Sequence, residues 1–370
     1  MRPSLRRSAV AAVACAVVVT GLPGASEAAS RPPHQLSGAW LARQLTDGLV
    51  HNDQFDIDDH GLSIDTAFGL AAVGGHRTTV REISSAVAGS LDAYITGEAF
   101  GDPGSTYAGP TAKALVLAQL AGDDPTGYGG IDLVARLEST VSTTAPTSGR
   151  IGDASTFGDY ANVVGQALAV QGLAAAGSPQ AGPTLDFLLD QQCEKGYFRL
   201  NLTADKTAAD QTCDGGRPRT TSAPDTDATA LAVLALQSVE PKTAPVRLAL
   251  REATAWLTDH QRRNGSFGGG TSTEASNANS TGLAAWALAA RGACRPAVDA
   301  ATWVRGLQVR RVRASSPLAT QKGAIAYDAA AYTKGLRRGI TKATRDQWRR
   351  TTAQAAPAMR LLTVQACRKF

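Results

Sequence analysis

The sequence predicts an all-α protein, a single closed ring of about six helical hairpins (an α/α toroid). Three observations carry that expectation. Phe187-Leu188-x-x-x-Gln192-x-x-x-Gly196-x-Phe198 and Trp256-Leu257-x-x-x-Gln261-x-x-x-Gly265-x-Phe267 share five anchors at identical spacing, and self-similarity of this kind marks a repeat architecture. Segments rich in Ala, Leu and Gly recur at roughly forty to fifty residues, within the range of helical repeats. These segments are apolar nearly all round, which means burial on both sides, whereas the helical patterns alternating with them are amphipathic.

Each unit reads as an outer helix, a Gly-containing turn, a Ser/Thr/Asp/Asn cluster and an inner helix. The cluster belongs at a helix start, because such side chains accept hydrogen bonds from the free N–H groups of a first turn. The first three units read as Gly38 to Gln44 with Gly61 to Val73, Leu91 to Thr96 with Thr111 to Leu120, and Ile131 to Thr140 with Tyr160 to Ala175. The clearest pairs follow: Pro183 to Gln192 with Asp225 to Leu236, then Arg251 to His260 with Asn279 to Ala290. A last unit runs from Ala297 to Val309 and Ala326 to Leu336, and Asp346 to Leu362 closes the chain as one more helix. The polar stretch from Phe198 to Pro224 interrupts the fourth unit and is expected as a surface loop at one rim.

The chain opens as an export leader. Arg2, Arg6 and Arg7 precede an apolar run from Ala9 to Leu22, and small residues follow up to Ser30; the run is too short and wrongly flanked for a membrane span. Cleavage is expected after Ala28, leaving 29–370 as one secreted, extracellular or wall-associated domain. Formal charge then falls from +5 to +3, because three Arg and one Glu leave with residues 1–28. Cys15 lies inside the apolar run and Ala12 stands where a lipobox has leucine, so lipid attachment is not expected. Four cysteines remain, and an even number in an exported chain reads as disulfides. Of the three possible pairings, Cys193–Cys213 would staple the polar insertion and Cys294–Cys367 would tie the tail to an earlier repeat. Metal binding is disfavoured by the absence of Cys-x-x-Cys and of a nearby His.

The anchor motifs resemble the QW motif of the terpenoid cyclase and protein prenyltransferase superfamily, in which Gln caps a helix end above a packed aromatic ring. Weaker copies start at Trp40-Leu41 and at Trp303-Val304, the latter with Gln308. Trp40-Leu-Ala-Arg-Gln-Leu, Phe55-Asp-Ile-Asp-Asp and Gly61-Leu-Ser-Ile-Asp65 are similar to exported actinobacterial prenyltransferase and squalene oxidase repeat proteins. The same toroid occurs in corrinoid carriers such as transcobalamin. Pro224-Asp225-Thr226-Asp227-Ala228-Thr229-Ala230 resembles the Asp-x-Asp-Asp-Thr-Ala motif of squalene–hopene-type cyclases, with Ala228 in place of the last Asp. The resemblance implies that Asp227 is the acid that protonates an alkene and Asp225 its partner. The residues themselves equally allow a helix cap and an acidic first turn.

Asp56-Ile57-Asp58-Asp59 is a literal Asp-x-Asp-Asp followed by His60-Gly61, an acidic loop before the first inner helix. It reads as caps and solvated charge, or as a Ca²⁺-binding loop without EF-hand spacing. Asp65 lies one turn into that helix, where it would face the cavity. No Walker, dinucleotide or Gly-x-Ser-x-Gly motif occurs, and no cofactor or metal is expected. Only five Trp, seven Tyr and eight Phe are present, few for a cavity that must stabilise carbocations on π faces. From sequence alone the leading expectation is a monomeric, non-catalytic binder of a small apolar or amphipathic ligand, an isoprenoid or a corrinoid. The alternatives are a divergent class II cyclase using Asp227, a polysaccharide-acting enzyme and a wall-associated scaffold. Basic residues between Arg305 and Arg350 read as ordinary solvated outer-helix faces, with a wall-polymer or membrane-surface partner as the alternative; nucleic acid is not expected.

Overall fold

The computed structural model describes residues 31–215 and 222–370; the predicted leader lies outside them. Residues 32–370 form one contact unit with a continuous apolar core. The α-helices, in chain order, are α1 Pro33–Ala42, α2 His60–Val73, α3 Arg77–Gly89, α4 Asp92–Ile95, α5 Ala108–Ala121, α6 Leu133–Glu138, α7 Val163–Ala175, α8 Ala181–Leu189, α9 Thr226–Ser238, α10 Ala244–His260, α11 Ala278–Ala290, α12 Cys294–Gly306, α13 Ala329–Arg338, α14 Arg345–Ala355 and α15 Val364–Cys367. A two-stranded antiparallel hairpin, β1 His51–Asn52 with β2 Ile57–Asp58, precedes α2.

The inner layer consists of α2, α5, α7, α9, α11 and α14. Each packs on the next, and α14 packs back on α2. Close approach needs small residues: a Cβ on Gly69 would lie 2.5 Å from the Ala353 carbonyl oxygen. Outer helices α3, α6, α8, α10 and α12 each follow an inner helix through a turn and fold back on it. The outer cover of α14 is α1, from the other end of the chain, packed on α14 and on the 3₁₀ turn Ala356–Arg360.

The QW-like anchors build the outer layer by one repeated device. The Gln192 amide donates to the carbonyls of Gly196 (2.8 Å) and of Ala249 in α10 (3.0 Å). The Gln261 amide donates to Gly265 and to Pro296 in α12, both at 2.9 Å. Gln308 repeats the reach across the chain ends, to Pro33 in α1 at 2.8 Å. Gly196 (φ 94°) and Gly265 (φ 86°) are left-handed and face the carbonyls of Glu252 and Asp299, where a Cβ would come within 2.7 and 2.6 Å. No other residue meets both conditions without strain.

A second repeat was not legible in the sequence. Four residues after the start of each inner register stands a buried polar residue, and five of these accept a backbone N–H from the preceding loop. The pairs are Ser63 with Val50, Gln166 with Ile151, Thr229 with Phe198, Thr281 with Phe267 and Thr352 with Ile325. Segments 43–59, 90–107, 139–162, 190–225, 261–277 and 307–344, which lead into the inner helices, thereby gather at one end as a rim. Neighbouring rim segments bond to each other and to neighbouring helix starts. Examples are Thr106 with Ala154, Val163 with Leu200, Ala278 with Tyr327 and Arg345 with Asp53.

Both expected disulfides are present. Cys193–Cys213 pins the polar insertion, and Cys294–Cys367 ties α15 to the start of α12. Two expectations need correction. The outer helix of the second unit, before α5, is α3, which the expected units left out, and of Leu91 to Thr96 only Asp92–Ile95 is helical; the α3 N-cap His76 makes no side-chain capping bond, so it lacks the start signal used elsewhere. The sixth inner helix is α14, whereas Ala326 to Leu336 gives α13, of which only Gly335 is buried. The α14 sequence hid its place because its charges pair with distant residues: Arg345 with Asp53 (2.5 Å) and Arg350 with Asp59 (2.5 Å).

Candidate active site

Asp225 is the N-cap of α9; its Oδ1 accepts the Ala228 N–H at 2.8 Å. Capping accounts for Asp225, and Asp227 stands in the first turn of α9, where a carboxylate also suits the free N–H groups of the helix start. Two residues past the start of the inner register, the six helices carry Gly61, Gly109, Val164, Asp227, Asn279 and Arg350. Asp227 is the one carboxylate in that set. Its Oδ1 is shielded from solvent and has no hydrogen-bond partner among the described residues. Burial pushes its pKa up to about 6; the nearby Ser280 hydroxyl opposes the rise and the Asp225 charge adds to it. Gly269 and Gly270 roof the pair. A Cβ on Gly269 would sit 3.0 Å from Ser280 Oγ and 3.2 Å from Asp227 Oδ2, and one on Gly270 would overlap Asp225.

One and two turns further along α9 come Leu231 and Leu234, at i+4 and i+7 on the Asp227 face. Both line a largely apolar cavity of about 560 Å³ between the C-terminal halves of the inner helices, with Phe68, Leu168 and Trp286. Leu168 also borders a second pocket of about 380 Å³ at the rim end, lined by Tyr94, Tyr107, Lys113, Asp153 and Tyr160. An acid with one carboxylate oxygen shielded from solvent thus stands on the helix face that leads into an apolar chamber, with tyrosines and a few polar groups in the adjoining one.

The other predicted residues have defined partners. Asp65 pairs with Lys113 at 2.6 Å, and Lys113 also donates to the Gly61 carbonyl at 2.8 Å. Burial alone would lower the Lys113 pKa, but Asp65 outweighs it and the net shift is upward. Asp59 caps α2 through the Leu62 N–H and pairs with Arg350. Asp56 and Asp58 sit on the exposed β hairpin and share His51, at 3.2 and 3.0 Å; the Asp58 hydrogen bond is the main cause of a raised His51 pKa. Sequence reasoning missed Lys113, Ser280 and Asp153, because their neighbours come from other repeats. Asp153 accepts the Ala108 N–H that opens α5 and the Tyr160 N–H, at 2.7 and 3.0 Å.

No protein-family profile matches the chain, and no curated protein matches it. Solved structures do. The type II terpene cyclase MstE from Scytonema superposes with a TM-score of 0.60 at 15% identity, covering 91% of this chain and 98% of that one. This is a terpene cyclase-like fold. A variant of the same enzyme, holding its substrate geranylgeranyl dihydroxybenzoate, matches at 0.59 and 15% identity over 91% and 97% of the two chains. A protein from Actinoplanes matches at 0.55 and 17% identity, over 89% and 98%. A glycosidase matches at 0.52 and 13% identity, over 90% and 96%. The likeness is one of fold. The predicted resemblance to the terpenoid cyclase superfamily holds at that level, and the fold also serves sugar chemistry.

Proposed function

We propose that the chain is a class II-type terpenoid cyclase built on a closed α6/α6 toroid, with Asp227 as the proton donor and an isoprenoid in the apolar chamber. Support for closure comes from α14 packing on α2 and from Gln308 reaching α1. The observation that carries the activity is the shielded, unpartnered Asp227 Oδ1 at the head of a cavity-lining face. A carboxylic acid kept partly protonated near neutral pH can give its proton to a terminal alkene carbon. The resulting cation is attacked by the next double bond. A final loss of a proton gives a product isomeric with the substrate, and solvent reprotonates Asp227. Phe68 and Trp286 offer π faces to the cation, and a chamber of this size lies within the range of about 300–1,000 Å³ usual for small-molecule sites.

Asp225 acts as a positioning residue, holding the start of α9 and raising the Asp227 pKa by its charge. The non-catalytic binder favoured by the sequence alone, with an isoprenoid or a corrinoid as ligand, becomes the second reading, since an apolar chamber also suits a carrier. Secretion and a monomeric state remain part of the proposal. The test is incubation with linear C15 to C30 polyprenyl substrates and a search for cyclised isomers by gas chromatography and mass spectrometry. Cyclic products from the wild type, lost with Asp227→Asn while the fold is kept, support the cyclase. Bound but unchanged isoprenoid supports the carrier instead.

A further inference from the structure

We propose that the apolar chamber selects an isoprenoid with an uncharged hydroxyl head, a prenyl alcohol, and that Gln119 and Gln171 hold that head. The inference rests on the isoprenoid reading of the chamber and adds the head group and the direction in which the chain lies. Ala72, Gln119, Ala175 and Ser238, from the last turns of α2, α5, α7 and α9, line the chamber at the end away from the rim. The polar groups in its walls are the amides of Gln119 and Gln171 and the Ser238 hydroxyl, all towards that end. The Ser238 hydroxyl already donates to the Ala235 carbonyl at 2.7 Å. The Gln119 amide nitrogen donates to the Gly172 carbonyl at 2.8 Å. That bond crosses from α5 to α7 and brings the Gln119 amide to within one residue of Gln171. Among the described residues Gln119 keeps its Oε1 as a free acceptor, and Gln171 makes no side-chain hydrogen bond.

A hydroxyl is both donor and acceptor. It can give its proton to Gln119 Oε1 and accept from the Gln171 amide. A hydrocarbon that displaced water from the chamber would leave both amides unpaired, which is costly. A diphosphate fits less well. No charged side chain among the described residues lines the chamber. The last-turn carbonyls of four inner helices give this end a partial negative charge, which favours a donor and opposes an anion. In the adjoining pocket Lys113 is held by Asp65 at 2.6 Å and shares the lining with Asp153. Arg360 and Arg291 stand outside the lining and donate to the Ala72 carbonyl and to Gln237 Oε1, both at 2.7 Å. The length also suits a short prenyl chain. Counted from Val164 and Gly109, which share the register of Asp227, Gln171 and Gln119 lie roughly 10 and 15 Å further along the helices at about 1.5 Å per residue. A head fixed there sends the terminal alkene towards Asp227.

The test reads binding, not turnover. The chain carrying Asp227→Asn, so that no probe is consumed, is titrated with farnesol, farnesyl diphosphate and farnesene, the hydrocarbon of equal carbon number. Farnesol should bind about tenfold tighter than either of the others. Adding Gln171→Leu should weaken farnesol about tenfold and leave farnesene unchanged or tighter, with unchanged circular dichroism, because Gln171 supports no other group in the fold. Equal affinity for farnesol and farnesene, tighter binding of the diphosphate, or no binding of any probe overturns the proposal. So does a farnesol affinity that Gln171→Leu does not change. The cyclase reading fails separately, through the absence of turnover by the wild type, which this titration does not use.

Discussion

Asp227→Asn separates an acid of raised pKa from an ordinary carboxylate by stability alone. The folded pKa is raised to about 6 from the ordinary 3.8. An acid raised in this way holds its proton more tightly in the folded state than in the unfolded one. The folded protein therefore carries no penalty below about pH 3.8, loses stability as pH rises from there to about 6, and bears the full cost above 6. Two pKa units correspond to about 3 kcal/mol. The Asn amide has nearly the same shape and no charge, so at pH 8 the variant should be more stable by up to about 3 kcal/mol, or about 4 °C in Tm for a chain of this size. At pH 3.5 the two proteins should melt together. Thermal and denaturant unfolding from pH 3.5 to 8 reads the difference directly. A gap that is the same at every pH, or an Asn variant less stable at pH 8, would show a carboxylate that is solvated or paired, and the acid assignment would fail. In the cyclisation assay the same variant should lose at least about a hundredfold in rate.

Asp225→Ala should cost about 1 kcal/mol through the lost cap, whereas Asp225→Asn should keep the cap and lower the Asp227 pKa, seen as a shifted stability–pH curve. Gln261→Ala removes a donor to two carbonyls, one of them in α12, and should lower stability by about 1–3 kcal/mol in urea unfolding. Lys113→Met strands Asp65 in a half-buried site and should cost about 3 kcal/mol, most of it recovered by adding Asp65→Leu; a double variant no better than the single would refute the pairing. The Cys294–Cys367 bridge spans 73 residues, and Cys294→Ser/Cys367→Ser should lose about 4 kcal/mol of unfolding free energy on the chain-entropy scale.

Much of the fold was legible because its signals are local. The cap Asp225 lies within a turn of the N–H it holds, the anchors Gln192 and Gln261 lie four residues from Gly196 and Gly265, one of the two carbonyls each reaches, and the expected helices Asp225 to Leu236 and Asn279 to Ala290 came within two residues of α9 and α11. The failures have a different cause. The α14 sequence Arg-Asp-Gln-Trp-Arg-Arg reads as a surface helix until Asp53 and Asp59, nearly three hundred residues earlier, are seen to face it. At the site, sequence pattern allowed two roles for Asp225 and Asp227 together, and only the structure shows that Asp225 accepts the Ala228 N–H whereas Asp227, in the same first turn, keeps a shielded Oδ1 without a partner among the described residues. The acids Asp56 and Asp58 read as solvated charge or a Ca²⁺ loop, and their shared neighbour His51 sits across the hairpin, opposite Asp58, a pairing set by β register that no spacing rule announces.

The placement of α1 beside the last inner helix has a consequence for how the protein is made. Ser37 donates to Gly323 at 2.7 Å, and Gln308 reaches Pro33, contacts that span 286 and 275 residues. During synthesis the first helix emerges with its packing surface uncovered and must wait for nearly the whole remaining chain to be translated. The middle hairpins, whose partners are neighbours in sequence, can assemble meanwhile. Completion is therefore a late and sequence-distant event, of the slow kind that high contact order imposes. A nascent chain cannot cover α1 until the segment around Gln308 and Gly323 has emerged.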